Sequence, residues 1–220
     1  MPPELTFEMI EHDEHLPQGA PWLTEKKSLL RDAYRFQTVV DSAKWSRPFL
    51  REEDVPQRKG ERPITYDDAP HQMYTQQARP AVLEKLIGAA LELSKKLGTV
   101  VSPTLVSFNT SKPAFFLPKS IPLPDGLLEY NREHAHIHAI WTSEQKPGPD
   151  TEGTGGGSMH VSVSHTDAQL LITRGWAEWH PYAAENFPHL LIYAPQNQDQ
   201  IDVSLAVLVA SYKFITDASA

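Results

Sequence analysis

Histidines cluster in the second half of the chain, in patterns that suit metal binding or proton transfer. His134, His136 and His138 alternate in EHAHIHAIW at 133–141, His160 sits in SMHVSVS at 158–164, and His180 lies in GWAEWHP at 175–181. The first two stretches alternate and carry β-branched residues, so they read as strands. Residues two apart on a strand share a face, so His136 and His138 point the same way, and a neighbouring strand can bring His160 beside them. Neutral imidazole nitrogens suit iron, zinc or copper. His136, His138 and His160 are therefore the candidate ligands, with His180 or Glu133 as further donors. Iron bound by two histidines and a carboxylate would need an acid, and Glu178 is the nearest one in these motifs. The same imidazoles can instead act as acid and base near neutral pH, or simply be satisfied by backbone carbonyls and hold strands together. Ser158, Ser162 and Ser164 lie close in sequence, but there is no Gly-x-Ser-x-Gly elbow, which makes hydrolysis a weaker reading.

The elements that must position these residues can be traced along the chain. Residues 1–22 are acidic and irregular, and the EHDEH run at 11–15 reads as a solvated stretch rather than a metal site. From Thr24 a helix is expected, with an apolar stripe of Leu29, Leu30, Ala33, Phe36, Val39 and Val40, ending near Trp45 before Pro48. Residues 46–78 form a polar, proline-bearing connector, long enough to wrap the body or line a site. Pro80 opens a second helix at its first position, Leu83, Leu86, Ile87, Ala90, Leu91 and Leu93 form its apolar face, and Gly98 ends it. Strands are expected over 99–108 and 113–117, then the two histidine strands. The glycine-rich stretch 146–157 between them reads as a flexible hairpin loop, and a strand rather than a helix follows it, unlike a phosphate-binding loop. Ser164 or Thr166 can cap a short helix over 167–174 that Gly175 terminates. A strand over 189–193 precedes a C-terminal helix begun by Asn197 or Asp199, with Ile201, Leu205, Leu208, Tyr212 and Ile215 at helical spacing. The order implies an α+β fold: a mainly antiparallel sheet packed by N-terminal helices and a long C-terminal helix. Residues 23–220 are read as a single domain.

Composition narrows the function classes. The formal net charge of -8 disfavours a nucleic-acid backbone or an anionic membrane as partner. With no cysteine, disulfides, thiolate catalysis and cysteine-based zinc sites are excluded. The first residues carry no basic and apolar leader, and no apolar run approaches the roughly 18 residues of a membrane span. A soluble, cytoplasmic protein is expected; composition does not give its oligomeric state.

From the connector onward the chain resembles the fungal luciferase family, enzymes that oxidise 3-hydroxyhispidin. The resemblance rests on GERP at 60–63, FFLP at 115–118 with Ile121 and Pro122, AHIH at 135–138, MHVSV at 159–163, GWAEWHP at 175–181 and YAPQN at 193–197. These motifs run in the same order over about residues 45 to 217. The resemblance implies catalytic roles for His136, His138, His160 and His180, and substrate contacts from Trp176, Tyr193 and Asn197; Phe115 can add an aromatic wall for a flat substrate. His134 and His165 do not carry over and are treated as structural or exposed. Three departures stand out: the family's hydrophobic membrane anchor is not seen here, the glycine-rich stretch looks like an insertion, and Gln196 stands where the family often has arginine.

The implied activity is an O₂-dependent oxidation or ring opening of a planar small-molecule substrate, an enol, hydroxypyrone or polyphenol of the kind found in secondary metabolism. No organic cofactor is expected; O₂ is the co-substrate, and a transition metal on the histidines is the open alternative. Two other readings are a cofactor-free cyclase, isomerase or decarboxylase using the same histidines as acid and base, and a non-catalytic binding or scaffold protein that keeps the fold.

Overall fold

The computed structural model describes residues 46–65, 71–73, 75–105, 113–122, 132–142, 145–148, 156–180 and 188–218. The helix expected over residues 24–45 and the acidic run at 11–15 lie outside these. The described chain is α+β, as its element order implied. Eight strands are named here in chain order: β1 (Val100–Pro103), β2 (Pro113–Phe116), β3 (Glu133–Ile137), β4 (Ile140–Thr142), β5 (Gln145–Gly148), β6 (Met159–Ser162), β7 (Ala177–Trp179) and β8 (His189–Ile192). The helices are α1 (Pro80–Leu97), α2 (His165–Thr173) and α3 (Gln198–Ala218). Six strands form one sheet in the order β1-β2-β3-β6-β8-β7, and every neighbouring pair is antiparallel.

Local chemistry explains the helix ends. Pro80 occupies the first position of α1, where its missing N–H costs nothing, and Gly98 closes the helix in the left-handed conformation at φ 70°. Ser164 caps α2, its hydroxyl accepting from Asp167 N at 3.1 Å. Asn197 caps α3 by accepting from Gln200 N at 3.1 Å.

Strand alternation then sorts the sheet into two faces. Ala135, Ile137, Val161, Leu190, Ile192, Ala177 and Trp179 form the main core with Leu83, Leu86 and Ile87 of α1 and Ile201, Val207 and Leu208 of α3. Helix α3 lies against β3 and β6, α1 against α3 and β1, and α2 against β7. The opposite face carries His136, His160, Ser162, His189, Leu191 and Tyr193. There Met73 packs with Leu191 and Tyr193 in a separate cluster, so a piece of the connector covers the polar face.

Two expectations need correcting. Residues 146–148, read as the start of a loop, belong to strand β5, which pairs with β4 in the register Ile140↔Gly148 and Thr142↔Gln145. The stretch 177–179, read only as a motif, is edge strand β7; three residues are too short to display alternation, and pairing with β8 defines it.

Candidate functional site

The sheet register builds the site. His136 lies directly opposite His160, His160 opposite Leu191, and Leu191 opposite Glu178, so one row of the ladder crosses four strands. One row further along, Ser162 faces His189. His138 follows β3 and continues its pairing: its N–H donates to Ser158 O at 2.8 Å and its carbonyl accepts from Gly157 N at 2.7 Å. Gly157 sits at φ +89°, and a Cβ there would lie 2.7 Å from the Cβ of Ala78. Only glycine fits between the sheet and the connector at this point.

His160 is the hub. Its ring centroid lies 4.9 Å from that of His136, 4.5 Å from His138, 4.4 Å from His180, 5.5 Å from His189 and 5.6 Å from His71. All of these are buried except His180, which is half-buried. The structure thus brings His136, His138, His160 and His180 together. It adds His189 from β8 and His71 from the connector, neither of which stands in a signature that sequence reading weighs. His71 is separated from the rest by more than 60 residues of sequence, and only the packing of the connector on the sheet joins it to them.

Most of these rings are fixed by a partner. Glu133 accepts from Nδ1 of His136 at 2.7 Å, and also from the Thr104 hydroxyl at 2.7 Å and Leu105 N at 2.9 Å. His138 Nδ1 pairs with the Ser158 hydroxyl at 2.8 Å, and His189 Nδ1 with that of Ser162 at 3.0 Å. His71 Nε2 donates to Glu178 at 2.7 Å. Glu178 further accepts from Arg62 at 2.8 Å, Thr65 at 2.6 Å and Tyr193 at 3.0 Å. Its burial favours the neutral acid. The hydrogen bond from His71, with Arg62 and Thr65, outweighs that and holds the carboxyl far below the usual carboxylate range.

The dry interior keeps His160 and His189 neutral. Burial pushes His160 well below its ordinary value, and the neighbouring His180, His138, His136 and His189 push the same way. Burial, with His136 and His71, lowers His189 to about 3. A neutral imidazole is both a base and a metal ligand. Two histidine triplets, His136 with His138 and His160, and His71 with His160 and His180, have ligand atoms within 4.8 Å of one another.

The other expected site residues have distinct surroundings. Tyr193 is on the histidine face, but its hydroxyl is spent on Glu178, and the guanidinium groups of Arg58 and Arg62 lie over its ring at 5.5 and 5.9 Å. The Trp176 indole donates to Pro56 O and joins the core. Phe115 is on the helix face, buried beside Ala135 and 6.4 Å from the His134 ring. Asn197 is exposed at the start of α3. Gln196 ties the chain after β8 to the connector, donating to Gln76 O at 2.6 Å. His134 turns to the helix face and pairs with Ser211 of α3 at 3.0 Å, which burial accompanies by lowering its pKa to about 4. An apolar groove of about 350 Å³ between α1 and α3, lined by Ala89, Leu93, Leu205 and Val209 among others, belongs to that helix side.

Comparison with known proteins agrees with the motifs. A family model described as the luciferase domain matches residues 153–211, a stretch that holds His160, His180 and His189. The chain is 24% identical over 205 residues to a luciferase of Armillaria gallica, covering 86% of this chain and 71% of the relative. Luciferases of Armillaria ostoyae and Armillaria mellea match at the same identity and coverage. No solved structure matches. The chain therefore resembles the fungal luciferases over most of its length, as its ordered motifs indicated.

Proposed function

We propose that this luciferase-like protein is an enzyme that oxidises or ring-opens a planar, acidic enol such as a hydroxypyrone with O₂. The observation that carries the reading is the hub of imidazoles around His160, of which His160, His180 and His189 lie in the stretch that the luciferase-domain model matches. A base removes the enolic proton. The anion gives its electrons to O₂, forming a carbon–oxygen bond and a peroxide. The outer peroxide oxygen adds to the ring lactone carbonyl and closes a cyclic peroxide. Its O–O bond and the carbon–carbon bond beneath it break to give two carbonyl groups, and the former lactone carbon leaves as carbon dioxide when its bond to the ring oxygen breaks, opening the ring.

The chain's own groups fit the proton step. His71 is the best-placed base: Glu178 holds its Nε2–H, leaving the Nδ1 lone pair, and its ring stands 5.2 Å from that of His180. A carboxylate behind an imidazole fixes the tautomer and stabilises the imidazolium formed on proton uptake. His180 is the half-buried member of the cluster. His136, His138 and His160 supply a dry, polar wall against which the anion can be held. Among the described residues no helix is long and apolar enough to cross a membrane.

The test is oxygen uptake with a panel of hydroxypyrones and other acidic enols. Uptake that depends on the enol and falls at least ~100-fold in His71→Ala and His180→Ala, with the fold intact by circular dichroism, is the expected result. Absence of uptake with every acidic enol tried, from folded protein, would overturn it.

A further inference from the structure

We infer that His136, His138 and His160 form a binding site for one divalent late first-row transition ion. The inference deepens the oxygenase reading by separating roles: an ion on the deep triplet, proton transfer at His71 and His180.

Three observations support this triplet. First, two of its rings are anchored. Glu133 takes the Nδ1–H of His136 and Ser158 pairs with Nδ1 of His138, so both rings are held from the Nδ1 side, with their centroids 4.9 and 4.5 Å from that of His160. A carboxylate behind a ligating histidine fixes its tautomer and raises its basicity. Second, His160 Nε2 is buried and makes no hydrogen bond among the described residues, although His160 is only 6% exposed. A buried polar atom left unsatisfied is costly, and an ion would satisfy it. Third, the ligand atoms already lie within 4.8 Å of one another. Tetrahedral binding at about 2.0–2.1 Å places nitrogens about 3.3 Å apart, which small ring rotations would reach.

The donor chemistry selects the ion. Three imidazoles without a thiolate suit zinc, copper, iron or nickel rather than magnesium or calcium. The other triplet shares His160 but is less prepared: His71 has Nε2 committed to Glu178, and His180 is half-buried.

The experiment uses the full chain without an affinity tag, stripped by chelator and titrated with cobalt(II), whose visible absorption reports coordination. About one equivalent should bind. His138→Ala and His160→Ala should lose binding while circular dichroism stays native, and His138→Gln serves if the alanine variant fails to fold. Glu133→Gln should still bind, about 10–100-fold more weakly, and His180→Ala should bind like the parent. No stoichiometric binding, unchanged affinity in His138→Gln and His160→Ala, or loss confined to His180→Ala would each overturn the assignment. Cobalt binding without oxygen uptake would sink the oxygenase reading alone; uptake without any metal binding would sink this one alone.

Discussion

Glu133 accepts a hydrogen bond from His136 at 2.7 Å, although in a regular strand two residues three apart lie on opposite faces. A bulge reconciles them. Ala135 pairs with Phe115 but Glu133 pairs with Phe116, so two residues of β3, His134 and Ala135, stand against Phe115 alone. The extra residue sends His134 to the helix side, onto Ser211, and returns Glu133 to the histidine side.

Glu133→Ala should therefore cost more than an exposed carboxylate would. It leaves the Thr104 hydroxyl, Leu105 N–H and His136 Nδ1–H without their acceptor in a buried place. A loss of about 3 kcal/mol is expected from chemical denaturation, with Glu133→Gln losing less because one acceptor oxygen remains. Equal stability of Glu133→Ala and the parent would contradict this account of the bulge.

Glu178 predicts a pH-dependent stability. Its folded-state pKa lies below its unfolded value, so its ion pairs stabilise fully above that unfolded value, near 4.5, and the contribution fades as pH falls below it. His71, Arg62 and the Tyr193 hydroxyl are the charged and titratable groups facing it. Against Glu178→Gln, the parent should hold its full advantage at pH 7 and lose a growing part of it below about pH 4.5. Urea unfolding of both proteins at pH 7, 5 and 4 measures the difference, and an advantage that grows toward acid would refute the sign.

Asp167 gives the opposite slope. Burial raises its pKa above the ordinary 3.8, partly offset by the backbone N–H groups of Leu50 and Phe49 and by Ser164. Its contribution is thus greatest below the unfolded value and declines as pH rises through the folded one. Both N–H groups reach Oδ1, at 3.0 and 3.1 Å, so the amide oxygen of Asp167→Asn can replace it. The asparagine variant should gain on the parent between pH 4 and 7, whereas Asp167→Ala should lose about 2 kcal/mol at neutral pH by freeing the buried Leu50 N–H and the part-buried Phe49 N–H. A gain by asparagine toward acid would count against this.

Gly157→Ala should be strongly destabilising, by about 2 kcal/mol or more, because it adds strain at positive φ to a clash with Ala78. Ala78→Gly in the same chain should remove the clash but not the strain. Partial recovery of the melting temperature in the double variant is expected; no recovery would mean that Ala78 is not the obstacle.

The sequence by itself determined the periodic and punctuated features. Pro80 and Gly98 bounded α1, Ser164 capped α2, and alternation in 133–138 and 159–163 marked two strands whose His136, His138 and His160 share a face. These are local effects of φ restriction, capping and side-chain period, so neighbouring residues suffice to reveal them. Only the tertiary structure decided the rest. The antiparallel register set His136 opposite His160. The bulge at His134 chose which acid backs His136, and the connector carried His71 and Arg62 onto Glu178. The same folding put Phe115 on the helix face and Asn197 at a helix start, although their motifs accompany the histidines in sequence. Side-chain period says which residues of one strand lie together; which strand, loop or acid meets them depends on burial summed over the whole chain, and no local pattern encodes it.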